Sequence, residues 1–328
     1  MSKISSFDFQ EFPDDDSYLQ ERYLAFFEEQ LERIHDGTKP ETGFIQKGVF
    51  ERKSVCEDVK LKQKNTGVFV VADGADWFAP RESVKIMWEH LGETLDHQLK
   101  QVCDHSNTIN TLQQLTQFVA NVLKTAVLIA DHRVEVALLG LGWQTQGTTL
   151  SCGKLISISD TTGDSLHRFF FLNLGDSRIY LYRKNGYFHK LTVDDTRLQQ
   201  WVHQGKLTSK EFSHIDQAIS PIDLHRKLFP YATHLNRFQL TRCLGTGDVS
   251  REIPSISFID VLPGERIVMT TNGITDQLLE SEIQTHLFRE KNDNAVESFL
   301  QHVALERSLD ARHPRAIADD ICVLVHTV

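Results

Sequence analysis

Several features are scarce in this chain of 328 residues. Its five cysteines, Cys56, Cys103, Cys152, Cys243 and Cys322, are odd in number, scattered and never spaced as CxxC. That pattern speaks against a disulfide framework or a zinc ribbon and predicts reduced thiols. The start, "MSKISSFDFQEFPDDD", has no apolar stretch of signal-peptide length, and no uninterrupted run elsewhere approaches the roughly 20 residues that span a bilayer. Positive charge is also short: 35 Lys and Arg against 45 Asp and Glu leave a formal net charge of -10. This is the wrong balance for gripping a nucleic-acid backbone. The expectation is a cytoplasmic protein with neither a membrane nor a nucleic-acid partner. Three catalytic signatures are missing as well: the HExxH zinc motif, the GxSxG nucleophile elbow and the GxxxxGK phosphate loop.

What is present is enough apolar residue, 40%, to bury a full core. Residues 1–43 read as an acidic helical extension. Asp14-Asp15-Asp16 precede a face of Leu19, Tyr23, Phe26, Phe27, Leu31 and Ile34, and Gly37 supplies a stop. Residues 44–328 read as the main domain. Its strands are "VFVVA" from Val68, "TTLSCGKLISIS" from Thr148, "RFFFLNL" from Arg168 and "RIYLYR" from Arg178, the last followed by an Asn185-Gly186 hairpin signal. Helical periodicity covers about Arg81 to Val102 and Thr108 to Leu139, an antiparallel pair expected to cover one sheet face. A flap-like insertion is expected at about 197–240. A polar helix near Glu280 to Leu309 and a final strand "ICVLVHTV" complete the reading.

Acidic residues gather at the strand ends. Glu57-Asp58 precede one strand, Asp73 follows another, Asp176 sits in the turn of "LGDSR", and Asp319-Asp320 open the last strand. A single Asp before Gly or Ser is ordinary turn chemistry. Several converging on one rim would offer hard oxygen ligands to Mg²⁺ or Mn²⁺, and two such ions can drive in-line attack on phosphorus. Against that set, "MTTNGITD" ends its strand on an amide, Asn272. Cys56, Cys152 and Cys322 lie in or beside strands, where a small buried hydrophobe is the expected role.

In order and approximate spacing, "VFVVADG", "GTTL", "FLNLGDSRIYLYRKNGYFHKLTVDDT", "LTRCLGTGD", "LPGERIVMTTNGITD" and "ADDICVLV" resemble the motifs of the metal-dependent protein phosphatase 2C (PPM) family over most of residues 45 to 328. The resemblance implies an α+β fold in which two antiparallel β-sheets form a central sandwich flanked by helix pairs (αββα). It implies two Mn²⁺ or Mg²⁺ ions, with a weakly held third, and hydrolysis of phosphoserine and phosphothreonine. Asp73 matches the bridging ligand and Gly74 the residue that lends a backbone carbonyl. Glu57 matches a second-metal ligand, with Asp58 beside it holding a water or a neighbouring ligand. Asp319 matches the late first-metal ligand and Asp176 the third-metal ligand.

Departures from the pattern are specific. Lys53, with Arg52 adjacent, stands where the family has a phosphate-gripping Arg; lysine keeps the charge without the bidentate fork. Ala75-Asp76-Trp77 replaces a glycine-rich loop that carries a His in some members. Asn272 replaces a metal-ligating Asp and removes one negative charge. Asp76 and Asp320 are extra acids able to replace it if they reach the cation. The implied partner is a phosphoprotein substrate, or a regulatory protein if the fold serves as a pseudophosphatase.

Overall fold

The computed structural model describes residues 41–42, 58–74, 79–87, 89–90, 112–140, 147–159, 165–217, 239–246, 249, 254–310, 312–313, 315–316 and 319–328. All belong to one compact unit, Pro40–Val328. The rest of the N-terminal extension lies outside the described residues, as do Arg52, Lys53, Glu57 and the Ala75-Asp76-Trp77 loop.

Among the described residues ten strands form two sheets with antiparallel neighbours. The first has the order β1-β2-β3-β4-β5-β8, comprising Glu41–Thr42, Val59–Gln63, Val68–Ala72, Leu150–Ser159, Ser165–Leu174 and Ser257–Val261. The second has the order β10-β9-β6-β7, comprising Val323–Thr327, Arg266–Thr270, Arg178–Tyr182 and Phe188–Lys190. β3 is apolar at every position and buried at every position, as a central strand covered on both faces must be. Phe69, Val71, Phe169 and Phe171 of the first sheet pack against Ile179, Leu181, Ile267, Met269 and Leu324 of the second. The alternation of strand residues thus supplies the inner face of a sandwich.

Helices cover the outer faces. α1 (Ala79–Met87) contacts β2, β3, β4 and α2 (Leu112–Gly140), and the Cys152 thiol lies 3.7 Å from the Met87 sulfur. Burial pushes the Cys152 thiol well above its ordinary value, so it behaves as the small hydrophobe expected. The second sheet buries Tyr180, Val268, Val323 and Val325 under α5 (Asn272–Thr275), α6 (Glu280–Arg289) and α7 (Asp293–Leu309).

The single polar helix expected over Glu280 to Leu309 is two. Glu290 leaves helical geometry, and the Asn292 side chain accepts from the Ala295 N–H to cap the next helix. Asn is a strong cap and a poor helix interior, so the amide breaks a pattern that periodicity alone joins. The β6–β7 hairpin turns at Asn185-Gly186 as read, with Gly186 at φ 85° and Tyr180 stacked 4.6 Å from Phe188.

One buried carboxylate fastens the two sheets together. Glu297 of α7 accepts from Lys60 Nζ and Lys62 Nζ on β2, each at 2.8 Å, and from the Val325 N–H on β10 at 2.8 Å. Lys60 Nζ also reaches the Val323 carbonyl at 3.3 Å. Among the described residues no helix is long and apolar enough to cross a membrane.

Candidate functional site

Strand register decides which loops meet. In the second sheet Thr270 pairs with both Arg178 and Val323, so the turn before β6, the turn after β9 and the approach to β10 share one level. In the first sheet Val59 pairs with Ala72, Val71 with Ser151, and Leu150 with Leu174, which aligns Asp58, Asp73, Thr149 and the Gly175-Asp176 turn. Both sheets therefore present their acids at a rim.

Small hydroxyl residues, passed over in the sequence reading, hold that rim. Thr148 Oγ1 donates to the Asp73 carbonyl at 2.8 Å, and the Asp73 N–H donates to Thr149 Oγ1 at 3.0 Å. Thr149 Oγ1 also bonds Ser177 Oγ at 2.7 Å. Thr149 thereby ties the Asp73 loop to the Asp176 turn, and Gly175, at φ 91°, lets that turn close over the Thr149 side chain. Across the rim, Thr271 Oγ1 donates to Asp58 Oδ2 at 2.7 Å and accepts from the Cys322 N–H. Asp195 holds Gly175 from the far side: it accepts the Gly175 N–H at 3.1 Å and pairs with Arg242 at 2.9 Å. The quoted motifs "GTTL" and "VDDT" were the available signal for these roles.

Asn272 is explained locally. The strand stops because the chain enters the helical turn α5, whose second residue, Gly273, lies directly against the Asp320 carbonyl. Any Cβ at 273 would collide with that backbone. The contact seats Asn272 beside the Asp319-Asp320 segment. Asn272 Oδ1 is buried and finds no hydrogen-bond donor among the described residues.

The carboxylates brought together repel one another. Burial raises Asp58 to about 8, with Asp319 and Asp320 adding repulsion against the bonds from Asp73 and Thr271. Asp73 keeps part of its surface in contact with solvent. Even so, the protein packed around it, and then Asp58, Asp319 and Asp320, hold its carboxyl well above the usual range. The Asp58–Asp73 side-chain hydrogen bond requires a shared proton. Asp176 is raised by burial first and then by Asp73, Asp276 and Asp194. Asp73 therefore lies electrostatically between the Asp58/Asp319/Asp320 group and Asp176.

Beside Asp176 lies a cavity of ≈ 20 Å³, enough for one water molecule. Its polar lining includes Asp176, Arg178, Asp194, Asp216, Asn272 and Asp276. Asp216 comes from α4 (Ser209–Asp216), which follows α3 (Arg197–His203) in the segment read as a flap. Asp276, one helical turn beyond Asn272, was not singled out from the sequence.

The donor chemistry suits a hard divalent cation: repelling, desolvated carboxylates and an amide oxygen without a donor are the groups such an ion satisfies. The described side chains do not close a cage by themselves, since no three His, Cys, Asp or Glu among them form a group able to hold a metal. Glu57, Asp76, Lys53 and Arg52 lie outside the described residues, and Gly74 is described only through its backbone bridge to Thr148.

The fold is that of PPM-type serine/threonine phosphatases. The Mycobacterium tuberculosis serine/threonine phosphatase PstP is 19% identical at a TM-score of 0.57, covering 88% of this chain and 96% of that one. The catalytic domain of PstP in complex with two manganese ions aligns at 18% identity and a TM-score of 0.54, covering 87% and 94%. Staphylococcus aureus Stp1 aligns at 17% and 0.56, covering 90% and 99%. No sequence-family model and no curated protein sequence matches the chain.

Proposed function

We propose that the chain is a metal-dependent phosphoserine/phosphothreonine phosphatase whose cation affinity is lowered by Asn272. The observation that carries this reading is the meeting of Asp58, Asp73, Asp319 and Asp320 at one rim, with Asp176 joined to Asp73 through Thr149 and Ser177. Asp73, the Gly74 carbonyl, Glu57 and Asp319 would hold two Mn²⁺ or Mg²⁺ ions, with Asp58 supporting them and Asp176 and Asn272 on the weaker side. Bound there, the cations supply positive charge that activates water and neutralises the phosphoryl group. Lys53 and Arg52 would grip the phosphate. Ala75 carries no proton to give, so the leaving alkoxide must take its proton from water. Thr271 holds Asp58, and Thr148 and Thr149 fix the Asp73 backbone, so the donor array is set before substrate arrives.

The test is hydrolysis of a phosphopeptide by pure protein with millimolar Mn²⁺. Turnover should exceed that of Asp73→Ala, which is expected to fall to the rate of the peptide alone. Equal rates for the two proteins would overturn the proposal. One feature favours the alternative, a pseudophosphatase that binds a regulatory partner: position 272, where the resemblance expects a metal-ligating carboxylate, carries the neutral amide of Asn272. Absence of Mn²⁺ binding by calorimetry would decide for it.

A pH dependence follows from the raised carboxyls. Below about 8 Asp58 keeps its proton, and Asp73 and Asp176 are shifted in the same direction. A cation must displace those protons, so Mn²⁺ affinity is expected to rise between pH 6 and pH 8, by about tenfold per pH unit for each proton released. Calorimetry in buffers of different ionisation heat counts the protons. An affinity flat across that window would contradict the assignment.

A further inference from the structure

Arg178 stands two residues beyond Asp176 and lines the same cavity, yet it gives none of its hydrogen bonds to it. Both edges of its guanidinium are taken. Asp194 accepts from Nε at 3.0 Å and from Nη2 at 2.6 Å, while Asp216 accepts from Nη2 at 2.6 Å and Nη1 at 3.2 Å. Arg178 and Asp194 are buried, and the Asp216 side chain is 17% exposed.

We infer that Asp216 is a positioning residue: by occupying the outer edge of Arg178, it keeps that guanidinium from pairing with Asp176 and leaves Asp176 open to a cation. Asp194 comes from the turn after β7 and is fixed in the sandwich, whereas Asp216 is carried at the end of α4. The seating of α4 therefore sets how much of Asp176's charge the cavity can offer. A second arginine secures that seat. Arg315 donates to the carbonyls of Thr275 at 2.7 Å, Asp276 at 2.8 Å and Asp216 at 3.3 Å, bolting the end of α4 to the turn that bears Asn272. Gln217 adds a contact by accepting the Glu280 N–H at 3.3 Å. Without the Asp216 charge, the other carboxylate on that edge of Arg178 is Glu280, 4.0 Å from Nη1 and beyond hydrogen-bond reach, and a bidentate Arg178–Asp176 pair would oppose cation entry by both charge and occupancy.

This inference rests on the proposed role of Asp176 as a cation ligand, and a double-mutant cycle separates the two. Mn²⁺ binding is measured by calorimetry on the intact protein for the wild type, Asp216→Asn, Asp216→Glu, Asp176→Asn and the Asp176→Asn/Asp216→Asn pair, with thermal melts confirming that each is folded. Asp216→Asn keeps the shape, removes the charge and exchanges one of the two oxygens that accept from Arg178 for an amide N–H donor. It is expected to weaken Mn²⁺ binding about tenfold, the lower end for groups that orient metal ligands, while Asp216→Glu restores most of it. In the Asp176→Asn background the Asp216→Asn loss should vanish, because position 176 then carries no carboxylate for Arg178 to capture. Unchanged binding in Asp216→Asn, or a loss that persists undiminished in the Asp176→Asn background, would overturn the inference alone. Unchanged binding in Asp176→Asn would overturn the ligand assignment beneath it.

Discussion

Replacing Glu297 by alanine is expected to lower unfolding stability by about 3–5 kcal/mol, the range for breaking a buried ion pair from one side. The side chains of Lys60, Lys62 and Glu297 are 9%, 8% and 9% exposed, so solvent cannot take over the lost interactions. Two ammonium groups and the Val325 N–H would be left without the carboxylate that now serves all three. Urea denaturation reads the effect as a fall in midpoint at unchanged slope. A loss under about 1 kcal/mol would show that water reaches the lysines and that the pairing is a surface one in energy. Glu297→Gln should lie between, since the amide oxygen still accepts one bond. Replacing the whole group with apolar residues of similar volume should recover much of the loss, because desolvating three charges offsets most of their attraction. The consequence reaches the site. Lys60 is two residues from Asp58 and also bonds the Val323 carbonyl, so Glu297 sets the height of Asp58 against the approach to β10.

The second large effect is expected from Asn272→Asp. A unit charge about 4 Å from each charge of a cation is worth about 4 kcal/mol at an effective dielectric of 20, before desolvation is subtracted. An increase in Mn²⁺ affinity on the order of 10- to 100-fold is therefore reasonable. The same charge should act in the opposite direction on the protein in chelator, because it joins carboxyls that burial and mutual repulsion already hold above their ordinary range. The paired signature is a lower melting temperature in chelator together with a larger rise on adding Mn²⁺. Phosphopeptide turnover should rise at metal concentrations that do not saturate the wild type. If affinity stays the same, the missing charge is not limiting, and the Ala75-Asp76-Trp77 loop becomes the next place to alter.

Much of this was legible in the sequence for a physical reason: strand ends are punctuated by Asp, Gly and Asn, so the positions of Asp58, Asp73, Asp176 and Asp319 along the chain also mark one edge in space. The hairpin at Asn185-Gly186 was visible because its turn chemistry is local. What escaped was set by contacts between distant segments. Glu297 meets Lys60 across 237 positions and reads in sequence as one more polar residue on a polar helix. Thr149 and Thr271 act through single hydroxyls whose value depends on which loop they face. Asp216 sits in a stretch with no motif and matters because Arg178, 38 positions away, has an edge to fill. The break between α6 and α7 was missed because apolar periodicity carries across it while the Asn292 cap does not register as a period.

The contact at Gly273 has an evolutionary consequence. The position is closed to every side chain because the Asp320 backbone lies where a Cβ would go. The turn is thus held by its neighbour, and residue 272 is left to vary in charge alone. Asparagine and aspartate have nearly the same shape and differ by one base transition in their codons. A lineage carrying this frame can move between the amide and the carboxylate in a single step without rebuilding the turn, and on the proposed role of residue 272 that one step changes the charge offered to a cation.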